Sequence, residues 1–227
     1  MPDWCQQLTN SKASPPVSVT YVLGSWSSGS TALTGWMAHL GGDTCPPHQL
    51  TNDPRTPDSF ECKALRDQLA RCRNELTLKA LQDDRQRFQE WYQPWIEAQR
   101  EQAARRNMPR IVLKHPLLAF YIDILAQIPG AGFIVITRPF AEIERTRQRR
   151  VWHPIYGATG AKVIYGQIFS SLLNQSITHT AIAFNDFRSR RSLRNQLRLS
   201  LGLSADKYRV QASEQWLKPP LRSEGST

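Results

Sequence analysis

An apolar run, Val17-Ser18-Val19-Thr20-Tyr21-Val22-Leu23, passes directly into Gly24-Ser25-Trp26-Ser27-Ser28-Gly29-Ser30-Thr31. No other feature of the chain limits its fold so strongly. An apolar run of this length bounded by glycine reads as a strand buried on both faces, as in a parallel sheet. The glycines let the backbone curl, and its N–H groups then point at an anion on the N-terminus of the helix beginning near Ser30. The glycine spacing is that of the phosphate loop G-x-x-x-x-G-K-[ST], with Ser30 where the lysine would stand. That lysine reaches the outer phosphates of a nucleoside triphosphate. A loop without it suits a phosphorylated nucleotide other than a triphosphate.

The rest of the chain continues the alternation. Further strands are expected at Arg110–Lys114, Phe133–Thr137 and His179–Phe184, with helices near 30–40, 117–128, 141–150, 161–175 and 189–201. Strands alternating with helices predict an α/β, three-layer, P-loop-like fold: a parallel sheet with helices on both faces. The expected organisation is a flexible leader over 1–16, one α/β domain over 17–210 and a C-terminal tail over 211–227. The domain carries an excursion at about 43–106, proline-rich at first and then helical from Glu61 to Arg106, with a break near Pro94. Ligands of such sheets bind beyond the carboxyl ends of the strands. The glycine turn, Lys114-His115 and Arg138 all fall at such ends, so residues far apart in sequence are expected on one rim.

Composition narrows the partner. Residues 1–99 hold 9 Lys/Arg against 11 Asp/Glu, and residues 100–227 hold 20 against 8. A basic half suits an anionic ligand. The basic runs Arg145–Arg150 and Arg188–Arg198 read as solvated helix faces. With no aromatic-interleaved basic motif, a nucleic-acid partner is not expected. No run of about 18 apolar residues is present, so no membrane span is expected. The N-terminus lacks the plan of a signal peptide, and Cys5, Cys45, Cys62 and Cys72 have no metal-ligand spacing. Reduced thiols, a cytoplasmic location and no metal are the expectations, and the sequence leaves the oligomeric state open.

Three blocks resemble the sulfotransferases that use 3′-phosphoadenosine 5′-phosphosulfate. Gly24 to Leu33 is similar to the family's 5′-phosphosulfate loop. Ile136-Thr137-Arg138 through Thr146 resembles its 3′-phosphate signature, an arginine closing a strand and a hydroxyl eight residues later. Ala183-Phe184-Asn185-Asp186-Phe187 through Leu203 resembles the family's Tyr-Glu-Asp-Leu strand end, helix and Gly-Leu close. The blocks occur in family order over roughly residues 17–203, and Phe60-Glu61 matches an aromatic–acid pair of bacterial members.

The resemblance implies transfer of a sulfonate from that donor, without a metal, to a hydroxyl or amine of a small-molecule or glycan acceptor. It implies donor contacts by Ser27, Ser28, Gly29, Ser30, Thr31, Ala32, Arg138, Thr146 and Phe184, the last matching a tyrosine of the family. His115 is the leading candidate for the base, with Glu61 as the alternative. Lys114 is the candidate cation, because the family's loop carries a basic residue where this chain has Ser27. Trp26, Trp91, Tyr92, Trp95, Trp152 and Tyr156 could line an acceptor pocket or pack the excursion. A catalytically weakened nucleotide-binding homologue is the alternative reading, and a small-molecule kinase a more distant one.

Overall fold

The computed structural model describes residues 17–51 and 58–217; the leader expected over 1–16 lies outside them. Five strands form the central sheet: β1 (Ser18–Leu23), β2 (Gly42–Asp43), β5 (Arg110–Lys114), β6 (Ala131–Thr137) and β7 (His179–Ala183), in the order β2-β5-β1-β6-β7. Every neighbouring pair is parallel. The α/β architecture expected from the alternation, a parallel sheet between helices, is therefore present. The edge strand β2 is only two residues long, too short to leave an apolar pattern.

Side-chain alternation divides the core between the two faces of the sheet. Val19, Tyr21 and Leu23 of β1, Ile111 and Leu113 of β5, and Phe133 and Val135 of β6 enter one buried cluster. Val22, Val112, Ile134 and Ile136 enter the other. This is the period-2 rule applied to strands with no solvent face. Each such side chain contributes about 1.5–3 kcal/mol on full burial. The second face is covered by α1 (Ser30–His39), the short α7 (Phe184–Ser189), α8 (Arg191–Ser200) and α9 (Lys207–Trp216). Arg194 of α8 grips Glu214 of α9 through Nε and Nη2, at 2.9 and 2.6 Å.

The first face carries α2 (Lys63–Cys72), α3 (Asp84–Arg105), the short α4 (Ile122–Ala126), α5 (Phe140–Arg149) and α6 (Ala158–Asn174). The excursion differs from its expected form. It opens with an antiparallel hairpin, β3 (His48–Leu50) and β4 (Asp58–Cys62), so Glu61 lies on a strand and not in a helix. Helix α3 runs through Pro94 without ending. An interior proline costs about 3 kcal/mol. Burial of Phe88, Tyr92, Ile96 and Ala103 along one face, with the Tyr92 hydroxyl 2.6 Å from that of Tyr21, offsets it. The break falls instead at 73–83, where Leu78 and Asp83 take left-handed conformations. Asn74 Oδ1 turns this segment by accepting from the N–H groups of Leu76 and Thr77, both at 3.0 Å.

Residues 117–128 are a 3-10 turn, Pro116–Phe120, followed by α4, in place of one helix. The expected C-terminal tail is, as far as Leu217, the end of α9 packed on α1. No helix among the described residues is long and apolar enough to cross a membrane. Cys45, Cys62 and Cys72 are free and buried; Cys5 lies outside the described residues.

Candidate active site

The carboxyl ends of β1 and β5 open on a cavity of about 530 Å³. Trp26, Ser27, Ser30 and Thr31 line one side, Lys114 its floor, and Glu61, Arg66, Glu75, Arg149, Arg150, Trp152 and Tyr156 the rest. The glycine turn begins where β1 ends. Ser27 and Gly29 both have positive φ, 60° and 97°. Alternating left-handed residues make a concave nest of N–H groups. Gly29 starts α1 without a side-chain cap, and the first helical hydrogen bond runs from Leu33 N–H to Gly29 O. The N–H groups of Ser30, Thr31 and Ala32 precede it and are available to an anion. Ser27 Oγ is buried and makes no hydrogen bond among the described residues, which fits a polar ligand in this turn.

Alternation decides what β5 offers. Lys114 follows Val112 onto the α1 face, and its Nζ donates to Thr31 Oγ1 at 2.8 Å and to Glu61 Oε1 at 2.9 Å. Lys114 is only 4% exposed. It ties the start of α1 to the carboxylate of β4. Burial alone would push the Glu61 carboxyl up, but the charge and hydrogen bond of Lys114 hold it below the usual carboxylate range. Glu61 is thus an ionised acceptor at the cavity.

His115 points elsewhere. It continues the extended backbone, so its side chain leaves on the opposite face. It is 3% exposed, does not line the cavity, and its Nδ1 accepts from Leu117 N–H at 3.2 Å, capping the 3-10 turn. Burial lowers its pKa from 6.5 to about 4, so it is neutral at physiological pH. His153 plays the same capping part for Ile155 N–H at 3.3 Å. Lys114 and His115, adjacent in sequence, cannot both face one cavity, and the period-2 rule carried that signal.

At the end of β6, Arg138 makes a second cluster. Its Nη1 donates to Ser27 O at 3.2 Å and Thr146 Oγ1 at 3.3 Å, and its Nε to Glu142 at 2.9 Å. Its guanidinium lies 5.1 Å from the Phe184 ring centre. Phe184 opens α7 and packs on the glycine turn: a Cβ at Gly29 would sit 2.1 Å from its ring, so only glycine fits there. Ser27, Gly29, Arg138, Thr146 and Phe184 are therefore brought together, although 157 residues separate the first from the last.

The aromatic residues divide. Trp91 and Trp95 stack at 4.9 Å and pack on the core with the fully buried Tyr92. Trp26, Tyr156 and Trp152 form an edge-to-face series at 5.0 and 5.9 Å along the cavity. Arg66 and Glu75 were not readable as site residues, because they sat inside a segment with helical periodicity. Their ends meet at 3.9 Å in the cavity wall. Burial raises the Glu75 carboxyl, opposed by Arg66.

No protein-family model and no curated protein sequence matches this chain. Among solved structures it is similar to sulfotransferase STF1 from Mycobacterium tuberculosis H37Rv, with a TM-score of 0.52 and 14% identity over 94% of this chain and 74% of that one. It is also similar to the sulfotransferase domain of the Synechococcus PCC 7002 olefin synthase (TM-score 0.46, 22% identity, 86% and 76% covered). A third similar structure is the sulfotransferase domain from the curacin biosynthetic pathway (TM-score 0.45, 16% identity, 87% and 78% covered). The chain has the sulfotransferase fold.

Proposed function

We propose that this protein is a sulfotransferase that moves a sulfonate from 3′-phosphoadenosine 5′-phosphosulfate to a hydroxyl or amine acceptor. The observation that carries the reading is the Thr31–Lys114–Glu61 bridge at the mouth of a phosphate loop that lacks the triphosphate lysine. The bound donor would supply an activated sulfonate on a phosphate leaving group. The N–H groups of residues 27–32 would hold the 5′-phosphate, and Arg138 with Thr146 the 3′-phosphate, in bidentate fashion. Lys114 would neutralise the charge that grows on the leaving oxygen. Glu61 Oε1 would take the acceptor proton as the acceptor–sulfur bond forms and the sulfur–oxygen bond to the phosphate breaks. Lys114 supports this assignment over one in which Ser27 leaves the loop without a cation. His115 caps a turn and has no part in it.

The proposal includes a single catalytic domain over about 17–210, working in the cytoplasm on a small-molecule or glycan acceptor. Trp152 and Tyr156 are its candidate acceptor contacts. Calorimetry with 3′-phosphoadenosine 5′-phosphate, beside ATP and without magnesium, tests it. Micromolar binding of the bisphosphate with no ATP heat is expected. Binding of neither, or of ATP alone, would overturn it. Tight bisphosphate binding with no turnover on any hydroxyl or amine would favour the weakened nucleotide-binding homologue.

A further inference from the structure

The last turn of α9 seats on α1 at Gly35. A Cβ there would sit 2.5 Å from the Trp216 indole and 2.7 Å from the Phe60 ring, so the bare glycine is what admits both rings. Trp216 Nε1 donates to Ala32 O at 3.0 Å, and its ring meets that of Phe60 edge-on at 5.3 Å. Phe60 is held in the left-handed region at φ 53°, an unusual conformation for an aromatic residue. Asp58 pins it there. Asp58 Oδ1 accepts from Phe60 N–H at 2.7 Å, while Oδ2 lies 2.7 Å from His48 Nδ1, and His48 Nε2 lies 2.9 Å from Thr44 Oγ1. The Thr44–His48–Asp58 chain has the connectivity of a nucleophile triad. Thr44 is buried, however, and does not line the cavity, and the chain ends on the Phe60 backbone.

These contacts close a ring. Ala32 follows Thr31, Phe60 precedes Glu61, and Lys114 joins Thr31 to Glu61. Trp216 therefore touches the immediate neighbours of both residues that Lys114 bridges. We propose that Trp216 is a positioning residue, whose indole N–H and ring hold the first turn of α1 and the Phe60 backbone so that Thr31 and Glu61 stay within reach of Lys114. The proposal rests on the assignment of Lys114 and Glu61 to the transfer site. It acts through backbone placement, since nothing puts Trp216 in contact with a reacting group.

The test is a carbon-13 titration of the Glu61 carboxyl in the full chain and in Trp216→Phe and Trp216→Ala, with bisphosphate calorimetry alongside. The titratable groups acting on Glu61 are Lys114, Arg66 and Glu75, with the buried His115, neutral at physiological pH, behind Lys114. Lys114 is the one the substitutions are expected to loosen. With its hold weakened, burial dominates and the Glu61 midpoint rises. The rise is expected to be largest in Trp216→Ala and smaller in Trp216→Phe, which keeps a ring but loses the N–H. Bisphosphate affinity is expected to stay within about threefold, and turnover to fall by about tenfold with donor KM unchanged. An unchanged Glu61 midpoint in folded Trp216→Phe and Trp216→Ala would overturn the proposal. If Trp216→Ala does not fold, the midpoint in Trp216→Phe decides alone. Failure of the unmodified protein to bind the bisphosphate would count against the sulfotransferase reading, and the titration would still report whether Trp216 holds the bridge.

Discussion

The two walls of the cavity are built by different means. The inner wall consists of strand ends and the turns that leave them: Ser27, Ser30 and Thr31 after β1 and Lys114 closing β5, with Arg138 after β6 bonded to Ser27 O behind it. Backbone hydrogen bonds of one parallel sheet fix the relative positions of those strands. The outer wall consists of side chains from the β3–β4 hairpin, α2, the 73–83 break and the segment after α5. They are held to each other by ring edges and by the Arg66–Glu75 contact. A wall made of sheet ends can keep a fixed geometry for a constant ligand, while a wall made of excursions can change its lining without disturbing the sheet. The division suits a reaction with one donor and a particular acceptor.

The largest effects are expected where the walls meet, at Glu61 on Lys114, and at Arg138 behind the inner wall. Glu61→Gln keeps the size of the side chain and removes the proposed proton acceptor, so turnover is expected to fall by about 10²–10⁴-fold with bisphosphate affinity little changed. Full turnover in this variant, measured as bisphosphate release, would take the base role from Glu61. Arg138→Ala removes the bidentate partner proposed for the 3′-phosphate. A loss of about 2–4 kcal/mol in bisphosphate binding is expected by calorimetry, and an unaltered dissociation constant would remove Arg138 from the donor site.

His115 sharpens the contrast, because it adjoins the inner wall without facing the cavity. His115→Ala is expected to hold turnover within about tenfold of the parent, since a cap and not a base is lost, at a cost in stability of about 1 kcal/mol. The pH dependence follows from its lowered folded pKa. The unfolded chain binds a proton near pH 6.5 and the folded chain only near about 4, so stability falls as the pH drops through that window. Denaturant titrations are expected to show a decline approaching about 3 kcal/mol across the window, reduced in His115→Ala. A variant with the same slope as the parent would assign the acid sensitivity to another group.

The aromatic lining of the outer wall gives the smallest effects. Trp152→Ala is expected to raise acceptor KM by roughly tenfold, the equivalent of about 1.4 kcal/mol, and to leave bisphosphate binding alone. Trp91→Ala, in the packed pair with Trp95, is expected to lower the melting temperature and leave acceptor KM unchanged. Equal effects of the two on KM would erase the distinction between lining and packing tryptophans.

Legibility followed the range of the interactions. The Arg138–Thr146 pair was readable as part of a motif resemblance, and eight residues across one turn and one helix bring the two side chains together whatever the rest of the chain does. The unbroken course of α3 was not readable from Pro94. It depends on Tyr92 meeting Tyr21, a partner 71 positions away. Glu75 gave no signal at all, since the 73–83 break that brings it to the cavity is shaped by Asn74 and by Arg73 reaching Leu78 O and Asp84.

The sequence by itself determined the four longer strands of the parallel sheet, the lysine-less phosphate turn and the basic rim, because strand alternation, glycine φ and short spacings are local properties of the backbone. Only the tertiary structure decided that Glu61 faces the cavity while His115 caps a turn. It also decided that the expected tail is a helix whose Trp216 seats on Gly35. Burial and partnership depend on residues distant in sequence, and no local pattern records which of two adjacent side chains the assembled core will enclose.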